Sequence, residues 1–186
     1  MNRRTWLIFM TIVFVASLAI VSFAAGLELG SKAPFFKVKS GAGEELTQEM
    51  IKEKVIVIFY ETKDVVERNR QLKNELNKFY DEQPDAVKKN IVRLPIINCS
   101  GAFWPFSLIW ESSLKENSKK EGLTIYGDWN GKVFSNYMMK DNESNVAVID
   151  KKGMLRYIAF GKIEAEEINK IKELLRGLAR PSSCGL

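Results

Sequence analysis

A short run of apolar and aromatic residues at positions 55–60, most of them β-branched, constrains the fold of this chain more than any other feature. The run does not alternate between apolar and polar residues, as a strand with one face in water would. A continuous apolar run of this length is typical of a strand that is covered on both faces. The sequence therefore predicts a central strand in a sheet that has helices on both sides.

The rest of the chain has alternating strand and helix patterns. Apolar residues at helical spacing predict helices, and short β-branched runs bounded by turn residues predict strands. The predicted elements are a first strand within residues 30–38, a helical turn at 47–51, a helix at 64–81, a strand at 91–98, a helix at 108–120, a short strand at 123–126, a hairpin from 145–150 to 154–160, and a helix at 163–178.

This order of elements specifies a fold class. Strands joined by helices pair in parallel through right-handed crossovers, whereas a hairpin adds antiparallel strands. The sequence therefore predicts an α/β, thioredoxin-like domain with a mixed central β-sheet and helices on both faces.

The first 24 residues have the order of a secretory signal peptide. Arg3 and Arg4 precede an apolar run at residues 6–23, and small residues lead to Ala24. We expect cleavage after Ala24, and the alternative is an uncleaved membrane anchor, because a span needs about 20 apolar residues. In both cases we expect the domain at residues 25–179, with a tail at 180–186, to be periplasmic or secreted.

Composition excludes several kinds of chemistry. The chain of 186 residues contains no histidine, which excludes His-based acid–base catalysis, a Ser-His-Asp arrangement and His-ligated metal sites. It has 28 Lys and Arg against 23 Asp and Glu, or 26 against 23 without Arg3 and Arg4, and no basic stripe of the kind that binds nucleic acid. We expect no nucleic-acid partner, no metal and no cofactor.

The turn after the predicted central strand is where thiol oxidoreductases of the thioredoxin class carry Cys-x-x-Cys. Here it contains Asp64 and Glu67 on either side of two valines. Disulfide exchange requires a thiolate at the start of the helix, so these residues predict no dithiol activity. The two carboxylates are candidates for acid–base catalysis. The more ordinary interpretation is that Asp64 caps the helix and Glu67 completes a capping box.

The two cysteines are Cys99 and Cys184. Cys99 follows the strand predicted at 91–98, so we expect it at the carboxyl edge of the sheet, near Asp64 and Ser144, where chemistry in α/β sheets gathers. It is a candidate catalytic thiol, and the alternative is a small buried hydrophobe. We expect Cys99 to be buried and not bridged to Cys184, because the last helix separates the tail from that edge.

Three residues are candidates for binding. Trp104 and Phe106 belong to an aromatic-rich stretch that would form a contact surface if exposed, or would pack into the core beneath a loop. Ser144 occupies the position before the hairpin at which redoxins usually have a cis-proline.

Several stretches resemble the YtfJ-type family of small periplasmic thioredoxin-like proteins. They are residues 61–69 (Glu-Thr-Lys-Asp-Val-Val-Glu-Arg-Asn), 98–121 and 145–153, within a resemblance that covers residues 27–178. The resemblance implies a thioredoxin-like, redoxin-related fold, a periplasmic location and the absence of Cys-x-x-Cys, while Cys99 departs from the family pattern. Some members carry a transcriptional-regulator label, which conflicts with export.

The sequence therefore predicts an exported thioredoxin-like protein without a dithiol active site, which acts by binding a periplasmic protein or peptide rather than as an enzyme. The alternative is a thiol-dependent peroxidase or redox protein that uses Cys99.

Overall fold

The computed structural model of the chain describes residues 27–180, which contain one mixed sheet of seven strands. The strands are β1 (Lys37–Ser40), β2 (Glu45–Thr47), β3 (Val55–Glu61), β4 (Ile91–Asn98), β5 (Tyr126–Asp128), β6 (Asn145–Ile149) and β7 (Leu155–Phe160). The helices are a 3-10 turn (Gln48–Ile51), α1 (Arg70–Asp81), α2 (Asp85–Lys88), α3 (Ser107–Glu121), α4 (Lys132–Asn136) and α5 (Ala165–Ala179).

The pairing of the strands confirms the predicted thioredoxin-like α/β fold. The strand order is β2-β1-β5-β4-β3-β6-β7. Strand β3 is parallel to β4, with Val55 opposite Ile91, and antiparallel to β6. Strands β6 and β7 form the predicted antiparallel hairpin. The central position of β3 follows from its sequence, because only a strand covered on both faces can bury seven consecutive residues.

Alternate residues of β3 enter two separate cores. Ile56, Ile58 and Tyr60 pack on one face of the sheet in a cluster that also contains residues of β1 and α4. Val55, Val57 and Phe59 pack on the other face, against buried residues of α1 and α5. Burial of each large side chain contributes about 1.5–3 kcal/mol, so the continuous apolar run fixes both helical layers to the sheet.

The interpretation of Asp64 and Glu67 as helix N-cap and capping box is wrong. Residues 63–69 form turns, and α1 begins only at Arg70. The reason lies in Asn69, whose side chain donates a hydrogen bond to the Gly161 carbonyl (2.7 Å) and accepts one from the Ile163 amide (2.8 Å). These bonds tie the chain to the loop after β7 and delay the start of the helix.

Several short elements differ from the sequence-based prediction. Strand β2 and helices α2 and α4 had no counterpart in it, and the strand expected at 123–126 lies at Tyr126–Asp128. Within residues 27–180, no helix is both long enough and apolar enough to span a bilayer. The expected signal segment at residues 1–24 and Cys184 lie outside the described residues.

Candidate functional site

A cavity of about 420 Å3 lies over β4, between helices α1 and α3. Its volume is within the range of about 300–1,000 Å3 that is usual for ligand pockets. Arg93, Pro95 and Ile97 line it and are only half-buried, whereas Leu94 and Ile96, on the opposite face of β4, are fully buried. One face of a central parallel strand, which is normally covered by helices, is therefore open to this cleft.

The rest of the cleft has an apolar floor and a polar wall. Phe59 extends the floor from β3, and Leu114 and Ile125 close it from α3 and the segment before β5. Asn77 on α1 and Asn117 on α3 supply amide groups. This combination suits a ligand that has apolar groups and a few hydrogen-bonding groups.

Seven charged residues line the cleft, and most of them neutralise one another. The cations are Lys63, Arg70, Lys73 and Arg93, and the carboxylates are Glu61, Glu67 and Glu121. Lys73 pairs with Glu61, while Arg70 pairs with Glu67 and reaches Glu121 on α3 (3.3 Å), across the cleft. Among residues 27–180, Lys63 and Arg93 have no carboxylate within 4.0 Å.

The structure does not bring Asp64 and Glu67 together as an acid–base pair. The hydrogen bond from Arg70 lowers the pKa of Glu67, which keeps this carboxylate ionised. Asp64 is exposed and forms no hydrogen bond or ion pair with another residue of the described range. Among the described residues, no hydrogen bond joins the two carboxylates, and of the two only Glu67 pairs with Arg70.

A buried polar cluster of Glu61, Lys73 and Ser144 lies at the end of β3. The Ser144 hydroxyl donates to Glu61 Oε1 (2.6 Å), and Lys73 Nζ donates to Glu61 Oε2 (2.6 Å) and to the Val66 carbonyl (2.6 Å). The Glu61 side chain is 4% exposed and that of Lys73 is 20% exposed, while Ser144 is fully buried. Ser144 therefore lies behind Glu61 and does not line the cleft itself.

Cys99 directly follows β4 at the carboxyl edge of the sheet, and its side chain is fully buried. Its sulfur lies against Gly127, and its amide donates to the Asp128 carbonyl (3.1 Å). Burial, with a smaller contribution from the Asp128 carboxylate, raises the pKa of the Cys99 thiol to about 12. At neutral pH this thiol is protonated and shielded from solvent. It has no disulfide partner among the described residues.

Trp104 and Phe106 do not pack into the core. They are 79% and 50% exposed, and they form, with exposed Phe103, Leu108 and Ile109, a patch that we call the aromatic surface. Ile109 and Trp110, which follow each other on α3, also line the cleft. Because Ile109 belongs to the aromatic surface as well, this surface continues into the cleft.

The cleft itself was not found by sequence reasoning, because it arises from the spacing of α1 and α3. A signal was nevertheless present: Arg93 and Pro95 interrupt an otherwise apolar strand. Pro95 favours a bulge or an edge position, whereas the structure places the strand at the centre of the sheet. A charged residue and a proline are uncommon in such a strand.

Solved structures with thioredoxin-like or redoxin folds superpose on most of the chain. A protein from Chlorobium tepidum that carries the name thiol:disulfide interchange protein DsbE has a TM-score of 0.61 and 15% identity, covering 82% of this chain and 99% of that one. The exposed lipoprotein thioredoxin Etrx1 of Streptococcus pneumoniae has a TM-score of 0.55 and 17% identity, covering 76% and 99%. The thiol peroxidase of Chromobacterium violaceum has a TM-score of 0.56 and 14% identity, covering 81% and 87%. At these identities the likeness shows the fold alone.

No curated protein matches the chain in sequence. A family of bacterial proteins does match, over most of the domain described above, and it is the family that the sequence resembles. The sequence profile described as "Bacterial protein of unknown function (YtfJ_HI0045)" matches residues 39–178, and the chain therefore belongs to this family.

Proposed function

We propose that the protein is an exported binding protein, which takes an apolar segment of a peptide or protein partner into the cleft between α1 and α3 and does not exchange disulfides. The observation that carries this proposal is the half-exposed face of β4, at Arg93, Pro95 and Ile97, inside a cavity of about 420 Å3. Removing this apolar floor from water would favour binding by about 25 cal/mol for each Å2 that is buried.

The aromatic surface supports a peptide or protein partner rather than a small isolated ligand. Trp104 is the most exposed large apolar residue of the described chain, Phe106 is half-exposed, and Ile109 of the same surface lines the cleft. Exposed apolar patches of this kind mark interaction sites, and aromatic residues contribute much of the energy of interfaces. A segment bound in the cleft would continue over this surface.

The absence of disulfide exchange is supported by the residues at the usual redox position. Asp64 and Glu67 stand where cysteines would be needed, and neither can act as a thiol nucleophile. The alternative, a thiol enzyme that uses Cys99, has less support, because this thiol is buried and its pKa is raised to about 12.

Export is supported by the sequence at the N-terminus, where Arg3 and Arg4 precede an apolar run and small residues. One of the proteins that share the fold is an exposed lipoprotein, which shows that the fold is compatible with an extracytoplasmic location. N-terminal sequencing of the protein recovered from the periplasm should begin at Ala25. A cytoplasmic protein that begins at Met1 would contradict export.

Binding can be tested with a fluorescein-labelled heptapeptide that ends in valine, leucine and phenylalanine and carries a C-terminal amide. Fluorescence anisotropy should show saturable binding to the wild-type protein. Ser113→Trp should weaken binding at least about tenfold, because Ser113 is exposed and lines the cleft, so a large side chain there fills it. Ser112→Trp is the matched control, because Ser112 is exposed on the same helix but does not line the cleft. No binding, or equal losses in the two variants, would overturn the proposal.

A further inference from the structure

We propose that the segment bound in the cleft is the carboxyl-terminal end of a peptide chain, and that Arg93 binds its terminal carboxylate. This inference rests on the proposed function and adds the chemical class of the ligand. It follows from the charges that remain unpaired in the cleft, the length of its floor and the polar groups on its walls.

Arg93 is unusual because it lies on the central strand β4 without a carboxylate partner among the described residues. One of its terminal nitrogens donates to the Asn77 side-chain carbonyl (2.6 Å), and its guanidinium carbon lies 4.2 Å from the centre of the Tyr80 ring. These two contacts hold the guanidinium in place and leave other N–H groups available. A fixed guanidinium with free donors suits the bidentate recognition of a carboxylate.

The charges of the cleft favour an anion at this position. Each carboxylate that lines the cleft has a cationic partner: Glu61 pairs with Lys73, and both Glu67 and Glu121 pair with Arg70. Of the four cations, Lys63 and Arg93 therefore remain without an anionic partner in the described range. Lys63 is exposed and lies 5.8 Å from the Trp110 ring, whereas Arg93 is half-buried, so a carboxylate gains more from Arg93.

The length of the cleft matches a short extended peptide. Arg93 is opposite Val57 in the register of the sheet, and Ile97 is opposite Glu61. Four residues of strand separate the two positions, which corresponds to about 13 Å. Three or four extended residues would therefore reach from the Arg93 guanidinium past Pro95 and Ile97, and the preceding residues would leave the cleft at the aromatic surface.

The walls of the cleft favour a peptide over a hydrocarbon chain that ends in a carboxylate. Asn77, Ser113 and Asn117 place amide and hydroxyl groups along the cleft, on both sides of the apolar floor. Asn77 and Asn117 each use one side-chain atom within the protein, Asn77 Oδ1 toward Arg93 and Asn117 Nδ2 toward Ser113. Their other amide atoms can pair with main-chain N–H and C=O groups of a peptide, whereas a hydrocarbon chain offers no such partners.

The test compares two forms of the labelled heptapeptide described above, one with a free carboxylate and one with the amide, at one ionic strength. In the wild-type protein the free acid should bind at least about tenfold more tightly. Arg93→Gln should remove this difference, so that the variant binds the free acid and the amide with equal affinity. Lys119→Gln is the charge-matched control, because Lys119 is exposed on α3 and lies outside the cleft, and it should retain the difference.

A second variant keeps the test decisive if Arg93→Gln fails to fold. Asn77→Asp would supply Arg93 with a carboxylate at the position of its present partner, and it should also remove the preference for the free acid. If both peptides bind equally to the wild-type protein, this inference is wrong and the proposed function stands. If neither binds, both are wrong. If decanoate binds as tightly as the free acid, the site takes a fatty carboxylate, and the assignment to a peptide end is wrong.

Discussion

The hydroxyl of Ser144 donates a hydrogen bond of 2.6 Å to the carboxylate of Glu61, which joins the residue before β6 to the last residue of β3. The other oxygen of this carboxylate accepts from Lys73 on α1. A buried carboxylate needs such partners, because an unpaired charge in the interior is costly. The Glu61 carboxylate therefore links the end of β3 to the residue before β6 and to helix α1.

Replacement of Ser144 by alanine should lower the free energy of unfolding by about 1–2 kcal/mol, because one buried hydrogen bond to a charged group is lost. Urea denaturation followed by circular dichroism measures this change. Ser135→Ala is the control, because the Ser135 hydroxyl is exposed and its bond to the Lys132 carbonyl is long (3.3 Å). Equal effects of the two variants would contradict the role assigned to Ser144.

Lys73 should be strongly coupled to Glu61. Lys73→Met leaves the Ser144 hydroxyl as the remaining partner of the buried Glu61 carboxylate. The variant should lower the free energy of unfolding by about 1–3 kcal/mol. This value is smaller than that for a fully buried ion pair, because Lys73 is partly exposed. In the double variant with Glu61→Gln, the total loss should be smaller than the sum of the single losses, because the variants remove the same interaction. Additive losses in this cycle would show that the two residues do not act as a pair.

Cys99 should react slowly in the native protein. Burial raises the pKa of its thiol from an ordinary 9.0 to about 12, so its thiolate fraction at pH 8 is about a thousandfold below that of a free cysteine. The Cys184→Ser variant isolates this thiol, and its reaction with a disulfide reagent should speed up with rising pH and become fast at pH 8 only after denaturation.

In the unaltered chain we expect two free thiols after denaturation. A monomer with none would contain a Cys99–Cys184 bridge, against this prediction.

The purified domain should not reduce the disulfides of insulin above background in the presence of dithiothreitol. The reason is that the turn between β3 and α1 contains Asp64 and Glu67 and no cysteine. Turnover comparable to that of a thioredoxin control, abolished by Cys99→Ser, would contradict this prediction and support a thiol enzyme that uses Cys99.

The sequence predicted those elements correctly whose own residue pattern determines their structure. The two-sided apolar pattern of β3 located the central strand, and the strand and turn pattern at residues 145–160 located the hairpin. The start of α1 could not be predicted in the same way. The Asn69 side chain forms hydrogen bonds with the backbone of Gly161 and Ile163, which are about 90 residues away in sequence. Helix α4 is only five residues long, so periodicity carries little information about it.

The candidate site was predictable only in part. The exposure of Trp104 and Phe106 was one of two interpretations of an aromatic stretch, and nothing local decided between them. The cleft depends on how far apart α1 and α3 lie over β4, which is a tertiary property, although Arg93 within a central strand was a sign of it.

The binding site itself is tested most directly by mapping the amide heptapeptide onto the protein by NMR. In 15N-labelled protein, addition of the peptide should shift the backbone amides of residues 93–97 on β4 and residues 109–117 on α3, because these segments line the cleft. Amides of α4 (Lys132–Asn136), which packs on the opposite face of the sheet, should shift little. Shifts that cluster on that opposite face, or no shifts at a peptide concentration that saturates anisotropy, would contradict binding in the cleft.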